Sequence, residues 1–300
     1  MIGRFAPSPT GSLHPGSLVA ALGSWLFARS AGGQWIVRIE DLDPPRIIPG
    51  SAEEILETLK RYGLQWDGPV MKQSDRSPAY ARALEHLQDR SLVYDCGCSR
   101  SELQRTASAP HGREAIYPGT CRDALPEGKQ ARAIRFRVPS STVTFDDLVF
   151  GRIEEDLATE CGDFVVRRAD GVFAYQLAVV VDDAEQGITQ VIRGGDLLAS
   201  TARQIALQRA LGSVTPAYGH LPTVVGTDGS KYGKRDGALR LETLDEAMVS
   251  QTLAQALSIL GIPGVRHSDP QAMLSDALKR FEPERIPKGN VHWLDPSPLR

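Results

Sequence analysis

Apolar residues along this chain change their spacing several times, and each change marks an element. The opening is short and mostly apolar, which predicts a strand over residues 1–6, and Pro7 and Pro9 then break regular pairing into a loop. Leu18, Ala21, Leu22, Trp25 and Leu26 recur at helical spacing and predict a helix over 17–28, stopped by Gly32-Gly33. Residues 34–39 read as a second strand, so the opening is a strand-helix-strand unit and implies a parallel sheet. Ser51 followed by Glu54 predicts a capping box opening a helix that ends near Gly63, and a further helical stripe covers 78–92. Strands are expected over 133–138 and 142–150, and helices over 200–211 and 243–260. The nearly continuous apolar run over 173–181 ends on Asp182-Asp183 and predicts a strand buried on both faces. From Pro283 onward the proline content predicts loop.

One stretch lacks any such period. Residues 96–128 are rich in Ser, Arg, Pro and Gly, the texture of an insertion held by something other than a large core. Four cysteines in 300 residues are too few for a disulfide scaffold, and Cys96-Gly97-Cys98 has closer to metal-ligand spacing. A formal net charge of −3 excludes a global positive field for nucleic acid. Locally the balance differs, because residues 96–137 carry eight Lys/Arg against four acids and permit a phosphate contact. No apolar run reaches the roughly 18 residues of a membrane span, and no charged segment precedes an apolar one at the start. A cytoplasmic protein without a membrane partner is expected.

Chemistry concentrates where the first strand meets the first helix. The run Arg4-Phe5-Ala6-Pro7-Ser8-Pro9-Thr10-Gly11-Ser12-Leu13-His14-Pro15-Gly16-Ser17 places a histidine and two glycines at a helix N-terminus. Free backbone N–H groups and the positive end of the helix dipole gather there, so a phosphate can sit against them. A lone histidine in that position is more often a cap or surface residue, and Glu40 alone reads as the partner of Arg38 or Arg46. Together with Arg38-Ile39-Glu40-Asp41-Leu42-Asp43-Pro44-Pro45-Arg46, however, this block resembles the glutamyl branch of class I aminoacyl-tRNA synthetases. His14-Pro15-Gly16-Ser17 is similar to the HIGH motif, with Ser17 in place of its second histidine. Tyr175-Gln176-Leu177-Ala178-Val179-Val180-Val181-Asp182-Asp183 and Val191-Ile192-Arg193-Gly194-Gly195-Asp196-Leu197-Leu198 resemble the second Rossmann half. Gly229-Ser230-Lys231-Tyr232-Gly233-Lys234-Arg235 resembles the KMSKS loop, with Gly233 at its central serine.

The resemblance implies an α/β class I synthetase fold: a Rossmann-like parallel sheet with a zinc-bearing insertion and a small C-terminal helical region. Its parts would be a first Rossmann half over 1–94 and an inserted, acceptor-binding-like subdomain over 95–160. A second half over 161–240 and a helical region over 241–300 would follow. Only 66 residues follow Lys234, too few for an anticodon-binding domain, so the chain looks like the truncated paralogues of glutamyl-tRNA synthetase. That implies ATP-dependent activation of L-glutamate without tRNA, then transfer to queuosine in the anticodon of tRNA(Asp), with Mg²⁺ accompanying ATP. An ordinary glutamyl-tRNA synthetase and an inactive tRNA-binding paralogue are the alternatives, and a monomer is expected.

By the same resemblance, Arg4, Ser8, Glu40, Tyr175 and Arg193 form the glutamate pocket. His14, Gly16, Ser17, Lys231 and Lys234 serve ATP, with His14 and Lys234 catalytic. Arginine suits carboxylates because its planar fork donates parallel hydrogen bonds. A structural zinc site would use Cys96, Cys98 and Cys121, leaving one of four positions open. His111 is the chemically more usual fourth ligand, the resemblance points to Tyr117, and three unliganded thiols are the plain alternative. Cys161 lies outside that spacing and is expected to pack as a small apolar side chain.

Overall fold

The computed structural model describes residues 1–99, 101–103, 116–226, 229, 239–267 and 269–294. Strands β1 (Ile2–Phe5), β2 (Gln34–Ile39) and β3 (Met71–Lys72) form one half of its main sheet. The other half is β9 (Gln190–Gly194), β10 (Ala217–Leu221), β6 (Val143–Asp147) and β7 (Gly151–Glu155), giving the order β3-β2-β1-β9-β10-β6-β7. Neighbours pair in parallel except β7, which runs antiparallel to β6. The strand order reverses between β1 and β9. Connections leave in opposite directions at such a switch point and open a crevice beyond the carboxyl ends of the two strands.

Helix α1 (Pro15–Ser30) crosses from β1 to β2 as the periodicity predicts, and it is buried on nearly all sides. One side lies on the sheet, where Gly23 permits close approach: a Cβ there would come within 2.4 Å of Leu221 Cδ1. Trp35, fully buried on β2, donates from Nε1 to Ser24 Oγ of α1 at 2.9 Å. Each large apolar side chain so buried contributes roughly 1.5–3 kcal/mol. The same core continues through α2 (Ser51–Arg61) and the C-terminal helices α7 (Glu246–Ile259) and α8 (Pro270–Arg280). A second core joins α3 (Ser77–Asp89), α5 (Tyr175–Glu185) and α6 (Thr201–Leu211). It also includes the short α4 (Leu157–Glu160) and an antiparallel sheet of β4 (Val93–Cys96), β5 (Ala133–Phe136) and β8 (Phe164–Arg167).

Several expectations need correction. Most of the apolar run over 173–181 lies in helix α5 and not in a strand. Leu177, Ala178, Val179, Val180, Asp182 and Asp183 are all buried, and burial around the whole helix erases the amphipathic period that would have revealed it. The capping box does not form. Gly50 caps α2 in a left-handed conformation at φ 81°, and Ser51 Oγ instead accepts from the Gly11 N–H at 3.0 Å, tying the loop after β1 to α2. The expected strand over 142–150 breaks at Asp147, whose Oδ1 accepts the N–H groups of Val149 and Phe150 at 3.0 and 2.9 Å and turns the chain into β7. Thus β6 and β7, within 95–160, belong to the main sheet, whereas β8, beyond 160, belongs to the small one. The helix expected from 243 begins at Glu246, capped by Asp245. The proline-rich tail contains strand β12 (Asn290–His292), which pairs in parallel with β11 (Thr223–Val225). Among the described residues no helix is long and apolar enough to cross a membrane.

Candidate active site

A cleft of about 410 Å³ opens at the switch point. Arg4, Ser8, His14, Gly16, Ser17, Glu40, Tyr175 and Arg193 all line it, joined by Asp196 and Thr223, which no sequence argument singled out. Lys231, Lys234 and His111 lie outside the described residues. The topology explains the convergence. Arg4 sits near the end of β1, Glu40 directly follows β2, Arg193 is near the end of β9, and Tyr175 opens α5.

The charges in and around the cleft are arranged unequally. Arg4 donates from Nε and Nη2 to the two oxygens of Asp183 at 3.2 and 3.3 Å, while its Nη1 makes no hydrogen bond among the described residues. Arg38, fully buried, reaches Asp183 at 2.8 Å, Glu40 at 3.3 Å and Gln186 at 2.7 Å. Burial works to raise the Asp183 carboxyl, but the two guanidinium groups overcome it and hold it below the usual carboxylate range. At Glu40 burial prevails over Arg38 and Arg4, and the carboxyl is pushed up. Glu40 is therefore an ion-pair partner of Arg38 that also faces the cleft.

Arg193 differs. It is 5 % exposed, and among the described residues no carboxylate bonds it. Its acceptors are His220 Nε2 at 3.1 Å, Gln204 Oε1 at 2.8 Å, Thr201 Oγ1 at 2.9 Å and the Leu197 carbonyl at 3.3 Å. A buried guanidinium bonded only to neutral acceptors retains most of its attraction for an anion.

His14 is the N-cap of α1, and its Nδ1 accepts the Ser17 N–H at 3.3 Å, which leaves the proton of a neutral ring on Nε2. Gly16 eases this packing, since a Cβ there would lie 3.1 Å from His14 Cε1 and press on the ring. Pro15 has no N–H, and the Ser17 and Leu18 N–H groups bond His14, so the helix start offers the cleft the Gly16 N–H and a positive dipole end.

The inserted segment holds a second cluster. The Sγ atoms of Cys96, Cys98 and Cys121 lie within 4.8 Å of one another, with Cys98 and Cys121 separated by 3.6 Å. The Tyr117 hydroxyl stands 3.5 Å from Cys96 Sγ and 3.7 Å from Cys98 Sγ, and accepts the Cys121 N–H at 2.9 Å. Ligands of a tetrahedral zinc ion with Zn–S near 2.3 Å stand about 3.8 Å apart, so three thiolates and Tyr117 fit that ion. Gly97 is required between the first two thiols, because a Cβ would approach the Gln130 carbonyl to 2.9 Å. Arg135 donates to Cys96 Sγ at 3.3 Å and lies 3.8 Å over the Tyr117 ring, orienting both. Cys161 is half-buried against the second core and stands apart from this cluster.

Sequence reasoning missed Asp183 as the hub of the arginines and His220 as a neighbour of Arg193. A signal for the first existed. Two buried acids in the last turn of a helix, Asp182 and Asp183, oppose its dipole and require buried cations nearby, but only if the run is known to be helical.

Comparison with known proteins agrees with this geometry. Residues 1–276 match the family described as tRNA synthetases class I (E and Q), catalytic domain. Glutamyl-Q tRNA(Asp) synthetase of Geobacter sulfurreducens is 52 % identical over 96 % of this chain and 94 % of its own. The protein of that name from Thiobacillus denitrificans is 50 % identical, with 95 % of each chain covered. Among solved structures, a glutamate tRNA ligase from Elizabethkingia meningosepticum in complex with its amino acid superposes with a TM-score of 0.78 at 29 % identity. That match covers 97 % of this chain but 66 % of the ligase. The catalytic-domain match, the high identity over nearly the whole chain and the shared fold place this chain in the glutamyl-Q tRNA(Asp) synthetase family of class I aminoacyl-tRNA synthetases, which are ligases.

Proposed function

We propose that this protein activates L-glutamate with ATP as glutamyl-adenylate without tRNA, and then transfers the glutamyl group to the queuosine base in the anticodon of tRNA(Asp). The observation that carries the first step is a buried Arg193 that has no acidic partner among the described residues and shares one cleft with Glu40 and the N-terminus of α1. Arg193 and the remaining Nη1 of Arg4 receive substrate carboxylates. Glu40 receives the ammonium, and Ser8 and Tyr175 supply hydroxyls. The glutamate α-carboxylate attacks the ATP α-phosphorus, the bond to the bridging oxygen breaks, and pyrophosphate leaves. Positioning and charge neutralisation carry such a step, with His14 Nε2–H and the Gly16 N–H at the start of α1 holding phosphate oxygens. Gly16 and Ser17 shape that contact, and Lys231 and Lys234 are assigned to the phosphates by their motif. Mg²⁺ bound with ATP neutralises the leaving phosphates. In the second step a hydroxyl of the modified base attacks the acyl carbonyl and AMP departs.

Glutamate-dependent exchange of pyrophosphate into ATP, measured without tRNA, tests the activation. Transfer of labelled glutamate to queuosine-containing but not unmodified tRNA(Asp) tests the acceptor. Exchange that requires tRNA would favour an ordinary glutamyl-tRNA synthetase, and no exchange at all would overturn the ligase reading. The 47–56 % identity to proteins named for queuosine-modified tRNA(Asp) supports this acceptor over the acceptor end of tRNA(Glu).

Because burial raises the Glu40 carboxyl, its charge is lost on acidification earlier than that of an exposed glutamate. The KM for glutamate is expected to rise as pH falls through this raised value. A KM profile from neutral pH into the acid range measures it, and Glu40→Gln should give a high KM with that limb absent.

We further propose a structural zinc ion held by Cys96, Cys98, Cys121 and Tyr117, folding a segment too polar to fold by burial. Elemental analysis is expected to find about one equivalent per chain. A zinc-free, folded protein would refute the assignment.

A further inference from the structure

Parallel pairing of β9 with β10 sets His220 beside Arg193 in register, and pairing of β10 with β6 brings Asp147 to the same layer. The side chains of Asp147 and His220 are both fully buried, and neither lines the cleft. Asp147 Oδ1 accepts three backbone N–H groups, those of Val149, Phe150 and His220, at 2.9–3.2 Å. Its Oδ2 faces His220 Nδ1 at 2.6 Å, and the other ring nitrogen faces Arg193 Nε at 3.1 Å.

Donor and acceptor chemistry allows one arrangement of protons in this chain. An ionised carboxylate only accepts and a guanidinium only donates, so the imidazole carries its proton on Nδ1 and presents a lone pair on Nε2. The Thr201 hydroxyl accepts from Arg193 at 2.9 Å and donates to the same Nε2 at 3.2 Å, which agrees with that tautomer. A proton on Nε2 would set N–H against N–H and push the guanidinium away.

We propose that Asp147 and His220 are positioning residues for substrate carboxylate recognition: Asp147 sets the His220 tautomer, and His220 holds the Arg193 fork toward the cleft while keeping its counter-charge one ring away. An aspartate bonded directly to Arg193 would orient it equally well but would neutralise it in place. Interposing a neutral imidazole keeps the orientation and leaves the cation for a ligand. This inference rests on the glutamate reading of the cleft.

Two measurements on the full-length protein test it. In Asp147→Asn, the amide that keeps its oxygen toward the three backbone N–H groups turns its NH₂ toward Nδ1, and the ring must take the other tautomer. The KM for glutamate in pyrophosphate exchange is then expected to rise about 10-fold or more, the cost of a buried donor set against a donor, while the KM for ATP stays unchanged. Imidazole ¹⁵N shifts should report an Nδ1-protonated His220 in the wild type and an Nε2-protonated one in the variant. His220→Gln, which returns an oxygen acceptor near the Nε2 position, should hold the glutamate KM closer to wild type than His220→Asn, which replaces only the Nδ1 side. The wild-type tautomer and this His220 pair carry the test if Asp147→Asn does not fold.

An Nε2-protonated wild-type ring, an unmoved glutamate KM in folded Asp147→Asn, or equal rises in both KM values would overturn the inference and leave the pair as packing. A wild type without glutamate-dependent exchange would instead remove the glutamate reading itself.

Discussion

Replacing Arg193 by alanine is expected to lower kcat/KM for glutamate by about 10²–10³-fold, because truncating one partner of a buried hydrogen-bonded charge pair typically costs 2–5 kcal/mol. The loss should fall on glutamate and not on ATP, since Arg193 comes from β9 and the proposed phosphate site is the start of α1. Arg193→Lys should recover little. A lysine is a point charge on a flexible stem, whereas the guanidinium here makes four hydrogen bonds in a planar fork. Stability should change far less than activity, because Arg193 has no carboxylate among the described residues to leave uncompensated, and water can enter the emptied position from the cleft. Exchange kinetics with glutamate and ATP varied separately measure the split. A variant with wild-type glutamate kinetics would remove Arg193 from the site.

Asp183→Asn is the change expected to cost most in stability. It keeps the side-chain shape but leaves Arg4 and Arg38 facing a neutral amide, with Arg38 fully buried. Breaking a buried pair by removing one partner typically costs 3–5 kcal/mol, which urea denaturation of both proteins would read as a lowered midpoint. The pH dependence supplies a check of sign. The Asp183 carboxyl is held below its unfolded value, near 3.9, so its contribution is present above that value and is lost as pH falls through the lower folded one. The gap between wild type and Asp183→Asn should therefore be constant near neutrality and close in the acid range. A gap that persists unchanged in acid would show that Asp183 acts through shape and not through charge.

Much of the site was legible before any coordinates. The break from apolar strand to Pro7 and Pro9, then to a helical stripe, located the end of β1 and the start of α1, and local chemistry suffices there. Two prolines exclude pairing, and a helix turns its positive dipole end outward wherever it starts. Arg4, Glu40, Tyr175 and Arg193 could be named from ordered motifs, and the structure brings all four to one cleft. The three cysteines and Tyr117 likewise came from spacing and resemblance, and they meet within one cluster.

The errors share one cause. Helix α5 was mistaken for a strand because burial on all sides removes the polar face that periodicity detects, and the neighbours packed with it include α3, far away in sequence. With its helicity hidden, the two buried acids of its last turn, Asp182 and Asp183, could not be recognised as acids that need cations. Ser51 and Glu54 matched a capping pattern, yet Ser51 bonds the loop after β1 instead.

The sequence by itself determined the crossover unit and the start of its helix, because these depend on contacts within a few positions, and its ordered motifs named residues that line the cleft. Only the tertiary structure decided which cations remain available. Arg4 and Arg38 share Asp183, 179 residues from Arg4 along the chain, while an imidazole on the adjoining strand stands between Arg193 and Asp147. Charge compensation acts through space over a few ångströms, and nothing in the order of residues along a chain states which distant side chains will share them.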